Sequence, residues 1–112
     1  MVVGAYGTLA RHHLHWVAHN RLPAENNFGR GEGGIEILSI NGLVVEGEPH
    51  LHVSLATPGG AYGGHLEEGC IVYVLCEVFL LEVDGVNLHR ERVEVDVPGM
   101  GQGHVLRLIF GQ

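Results

Sequence analysis

The sequence predicts one mainly antiparallel β domain with little helix, spanning residues 1–112. Three observations lead there. No segment carries a capped, amphipathic helical period. Turn signals at Asn41-Gly42, Pro58-Gly59-Gly60, Asp84-Gly85 and Pro98-Gly99 separate short apolar runs. Glycine supplies 18 of 112 residues without a repeating period, while 46% of the chain is hydrophobic, so a turn-rich chain still has enough apolar surface to form a core.

The elements follow in order. TLARHHLHWVA (8–18) alternates as a strand, with Leu14 and Trp16 on one side and His13, His15 and Val17 on the other. HNRLPAENNFGRGEGG (19–34) reads as a long loop, a length that marks function or mobility in a compact domain. IEILSI (35–40) reads as a strand ending at Asn41-Gly42, and LVVEG leads into a histidine-bearing hairpin. CIVYVLCEVFLLEV (70–83) is nearly continuous in apolar residues, as in a strand covered on both faces. VEVDV (93–97) alternates with Val93, Val95 and Val97 facing inward, and VLRLIF (105–110) ends the pattern. Cys70 and Cys76 fall in one extended run, where six residues put them roughly 20 Å apart, beyond disulfide reach. They read as apolar thiols.

Charge excludes one class of partner. Thirteen acidic residues face six arginines and no lysine, a formal charge of −7. Affinity for nucleic acid comes largely from cationic side chains that neutralise phosphates, so no direct DNA binding is expected. No run reaches the ~18 apolar residues of a membrane span, and the N-terminus has no signal-peptide pattern, which points to a cytoplasmic protein with no membrane partner.

The chemistry gathers in GEPHLHVSLATPGGAYGGHLEEG (47–69). With Thr57-Pro58-Gly59-Gly60 as the loop, Ala56 pairs with Ala61 and His52 falls opposite His65. Alternation then puts His50, His52 and His65 on one face, and Leu51, Val53 and Leu55 on the core face. Opposed Cβ atoms stand about 4.5–5.5 Å apart, within which three imidazoles can converge on one ion through bonds of about 2.0–2.1 Å. A tetrahedral zinc held by three histidines keeps one position open, and Gly63 and Gly64 leave the approach clear. His12, His13 and His15 form a weaker candidate for a second site, since only His13 and His15 share a face. A phosphate loop is excluded because no Gly-Lys-Ser/Thr follows the glycines, and a nucleophile elbow because Ser54 lacks its glycines. A cupin-type His-x-His site would want a glutamate where Leu55 and Ala56 stand.

GIEILSING (34–42), PHLHVSLA (49–56), GGHLEEGCIVYV (63–74) and Glu77-Val78 resemble, in order and spacing, the plants-and-prokaryotes conserved domain, the PPC domain. The resemblance implies an α+β fold with a mainly antiparallel sheet and assembly as a homotrimer. It matches His50, His52 and His65 to the histidine pattern of the prokaryotic, stand-alone members. The family's N-terminal strand and helix have no counterpart here, nor does the AT-hook of its plant members; only Gly29-Arg30-Gly31 is present. The plant Arg-Phe pair is replaced by Gly34-Ile35. The expected function is a trimeric module with a three-histidine zinc site that binds a small ligand or serves regulation. Two other functions stay open: a DNA-associated transcriptional regulator acting through a basic partner, and a metal-dependent hydrolase or lyase with Glu67 or Glu68 as base. No pattern selects a substrate, and no catalytic residue is assigned.

Overall fold

The computed structural model describes residues 1–111, and among them every regular element is a strand. The seven are β1 (Val2–Val17), β2 (Asn26–Val45), β3 (Glu48–Thr57), β4 (Gly60–Leu66), β5 (Ile71–Leu80), β6 (Asn87–Val97) and β7 (Gly101–Gly111). The mainly antiparallel expectation holds, and the α+β class does not: no helix forms among the described residues. β-Branched and aromatic residues interrupted by glycine fill the segments, and these favour a pleated, half-buried surface over a helix. It follows that no helix here is long and apolar enough to cross a membrane.

Five strands form one antiparallel sheet in the order β2-β3-β4-β1-β5, and an additional β2–β1 pairing closes β1–β4 on themselves. β6 and β7 make a separate hairpin. The enclosed core is Val2, Ala5, Leu9, Leu14, Ile35, Ile37, Ile40, Val53 and Leu55, with Leu51, Leu66 and Cys76 packed against it. The spacing of the buried residues in β2 changes from Ile37 to Ile40 because the β2–β3 register shifts between Ile37 and Ser39, a bulge that re-aims the side chains that follow.

Two sequence readings change. The stretch 19–34 is not one loop: Asn26 to Gly34 belongs to β2, and Asn26–Glu32 pairs with Arg11–Val17 of β1. These residues are largely solvent-exposed, so they lack the apolar alternation by which a strand is recognised. Asn41-Gly42 is likewise mid-strand, and the chain turns instead at Glu46-Gly47, both with positive φ (52° and 78°), as a two-residue type I′ hairpin requires. Gly42 is needed for close approach, since a Cβ there would lie 2.1 Å from the carbonyl oxygen of His50.

The run at 70–83 forms β5, but it is covered on neither face. β5 pairs with β1 alone, and Ile71–Leu75 and Val78–Leu80 are exposed, Val74 by 69%. The chain exposes 7737 Å², against about 6,000 Å² for a monomeric protein of this mass. Its radius of gyration is 16.1 Å, against about 13 Å for a compact domain of this length. Cys70, just ahead of β5, and Cys76 within it are both free thiols.

Candidate metal centre

The hairpin loop sets the register of the site. Thr57 pairs with Gly60 across Pro58-Gly59, Ala56 with Ala61, and His52 with His65, as the alternation predicts. β4 then lies against β1 with Leu14 opposite Leu66 and His15 opposite His65. Asn41, His52, His65, His15 and Phe28 thus form one row across β2, β3, β4, β1 and back to β2. Gly63 and Gly64 make this row tight. A Cβ on Gly63 would meet the carbonyl oxygen of Val53 at 2.2 Å, and one on Gly64 that of His15 at 2.6 Å. Their role is close strand approach, in addition to the open access expected of them.

The row brings three imidazoles together on the face away from Leu14, Val53 and Leu55, and His50, two residues before His52 on the same face of β3, adds a fourth. His50 and His52 stack with centroids 5.3 Å apart, and their Nε2 atoms are 3.3 Å from each other. His65 stands edge-on to both, at 4.8 Å from His50 and 5.3 Å from His52. His15 stacks on His65 at 4.2 Å. His15 Nδ1 hydrogen-bonds the Glu67 carboxylate, whose Oε1 also lies 3.4 Å from His65 Nδ1. That second contact is within ion-pair range but off the line of a hydrogen bond, so His65 Nδ1 is shielded from solvent without a hydrogen-bond partner. Among the described residues, the three whose ligand atoms all lie within 4.8 Å of one another are His15, His65 and Glu67.

Sequence reading therefore groups His50, His52 and His65, which lie on one face, and misses His15 and Glu67, which with His65 make the set whose ligand atoms all come within 4.8 Å of one another. His15 was grouped with His12 and His13, and the structure separates those three. His13 Nδ1 contacts the Glu68 carbonyl at 2.8 Å, whereas His12 packs against Tyr62 and sits over Gly31. The one available signal was period two: His13 and His15 share a face, and β1 needs a second neighbour there. Glu67 is held in place by its backbone N–H, which donates to the His13 carbonyl at 2.9 Å.

The electrostatics disfavour a charge on His50 and His65. Burial pushes the His50 imidazole below its ordinary value of 6.5, and the Arg90 guanidinium, His52 and His15 add to the shift. Burial also lowers His65, helped by His15 and His50 and opposed by Glu67. The hydrogen bond from His15 holds Glu67 below the usual carboxylate value and ionised. Neutral imidazoles with free lone pairs are the form a metal needs. His12 is lowered as well, by burial and then by His13.

These three depressed histidines fix a sign. The unfolded chain takes up their protons near pH 6.5 and the folded chain only below that, so stability is full above pH 6.5 and is lost as pH falls through the folded-state values. Metal-free protein in chelator is expected to show a constant melting temperature above about pH 7 and a falling one below 6.5, by scanning calorimetry. A melting temperature that rises on acidification through that range would contradict the burial of these rings.

The chain is similar to a hypothetical protein of Salmonella cholerae-suis with a TM-score of 0.67 and 22% identity, covering 95% of this chain and 71% of that one, a likeness of fold. Stretches of 49 and 58 residues are each 37% identical to bifunctional GlmU proteins of Synechococcus sp., strains JA-3-3Ab and JA-2-3B'a(2-13), covering 43% and 51% of this chain. They span only 8% and 9% of those long relatives. Residues 1–84 match the sequence model of the Plants and Prokaryotes Conserved (PCC) domain, which includes the whole histidine row and Glu67. By that match over most of its length, the chain belongs to the PCC domain family.

Proposed function

We propose that this domain is a metal-binding, ligand-responsive module that works as a homotrimer, with zinc on His50, His52 and His65 and one coordination position left for a small ligand. The observation that carries the reading is the 3.3 Å between His50 Nε2 and His52 Nε2. Two ligands of a tetrahedral zinc with bonds of about 2.0–2.1 Å stand about 3.3–3.4 Å apart; without metal the same two nitrogens share a hydrogen bond, one Nε2–H donating to the other's lone pair, and zinc would take the place of that proton. His65, edge-on to both rings, would supply the third nitrogen, with the Glu67 carboxylate 3.4 Å from its Nδ1. A carboxylate behind a ligating histidine fixes its tautomer and raises its basicity. When bound, zinc supplies Lewis acidity at the open position.

The trimer reading is supported by the surface and radius in excess of a compact monomer and by the uncovered β5. Closed cyclic assembly is the ordinary way to cover such a strand without leaving an edge.

The test compares two single variants. Wild-type protein saturated with zinc and dialysed should retain about one ion per chain by atomic emission. His52→Ala should lose most of it, because two histidines remain, while His15→Ala should keep it, His15 acting only through Glu67. Wild type that retains no zinc sinks the proposal. Loss in His15→Ala with retention in His52→Ala would move the ion to His15, His65 and Glu67 and overturn the assignment.

A further inference from the structure

Beside the histidines lies a cavity of about 410 Å³, lined by His50 and His65 and by Glu46, Glu48, Arg90 and Leu106. That volume is within the roughly 300–1,000 Å³ of small-molecule sites. Arg90 comes from β6 and Leu106 from β7, the hairpin outside the family-matched residues 1–84. The wall is therefore built from residues inside the family-matched range and from two beyond it.

Arg90 is half-buried and permanently charged. Among the described residues no carboxylate oxygen lies within ion-pair distance of it, although Arg11 elsewhere pairs with Glu32. A guanidinium that lines a cavity without a protein counterion is free to hold an anion there through two parallel N–H···O bonds. Glu46 and Glu48, in the same wall, are acceptors only. With the histidines neutral, the wall carries two negative charges against one positive, which disfavours polyanions such as nucleotides. A ligand with one carboxylate and nearby hydroxyl or ammonium donors satisfies both kinds of wall.

We propose that this cavity binds a small amino- or hydroxy-carboxylic acid, its carboxylate on Arg90 and its donors toward Glu46 and Glu48. This names the ligand class of the module proposed above and rests on that reading, since the metal's open position faces the same ligand.

The experiment is calorimetric titration of L-serine, L-lactate, acetate and inorganic phosphate into the full chain, zinc-loaded and chelator-treated, with zinc measured in every sample. L-Serine or L-lactate should bind more tightly than acetate or phosphate. Arg90→Gln should weaken that binding by about tenfold or more, the loss expected when one partner of a charge-assisted pair is removed. Arg90→Lys should recover part of it. Arg107→Gln, the same charge loss at an exposed position of the same hairpin, should change nothing. Unmeasurable binding of all four probes, a preference for phosphate, or equal affinity in wild type and Arg90→Gln overturns the proposal. Zinc-retaining protein in which Arg90→Gln is silent refutes the ligand class and spares the metal reading. Binding through Arg90 in protein that holds no zinc does the reverse.

Discussion

Leu14→Ala is expected to destabilise the domain by about 2–5 kcal/mol, a large part of the roughly 5–15 kcal/mol that separates folded from unfolded states. Leu14 is fully buried on β1, opposite Gly29 of β2 and Leu66 of β4, at the place where the sheet closes. Glycine cannot fill the space a shortened side chain leaves, so the cavity persists and its cost adds to the lost transfer free energy. Urea denaturation should show a lower midpoint at unchanged slope. Leu51→Ala should cost less, because Leu51 is only half-buried at the edge of the core, although hairpin alternation alone places it on the core face together with Val53 and Leu55. Equal losses at the two positions would mean that the barrel-like closure through β1 does not form.

Val74→Asp is expected to turn the proposed trimer into a folded monomer. Val74 is 69% exposed in the single chain, and its backbone N–H already bonds the Thr8 hydroxyl at 3.0 Å, so the substitution leaves that link and every core contact in place. In an assembly the same position would bury a carboxylate with no partner, which costs several kcal/mol per subunit. Light scattering should give about 36 kDa for wild type, three times the 12.1 kDa chain, and the chain mass for the variant, with an unchanged far-ultraviolet spectrum. A monomeric wild type at micromolar concentration, or a trimeric variant, would remove β5 from the interface.

What the sequence discloses of this site depends on how far apart the partners lie along the chain. The His52–His65 register was legible because one Pro-Gly turn and a period of two determine it locally. His15 was not, because it reaches His65 through the pairing of β1 with β4, strands separated by some fifty residues. Glu67 was considered only as a base, since nothing local announces that it bonds His15. The error at Asn41-Gly42 has a different origin. The dipeptide is a strong turn signal, but Gly42 answers a tertiary demand, the nearby His50 carbonyl, and the true turn uses Glu46, whose type gives no warning of positive φ. The α+β expectation comes from family resemblance and fails because no helical segment forms among the described residues to match it.

The separateness of the β6–β7 hairpin has a consequence for time as well as for shape. A two-stranded antiparallel ribbon is marginally stable by itself, and this one shares no hydrogen-bonded ladder with the five-stranded sheet. Its amides should therefore exchange with deuterium through an opening much cheaper than global unfolding, while those of β1 and β2 report the whole fold. The guanidinium of Arg90 rides on the part that opens, and the imidazoles ride on the part that does not. Residence of anything held between them would then be governed by how often the ribbon detaches, and a stiffer ribbon would lengthen it without a single new contact.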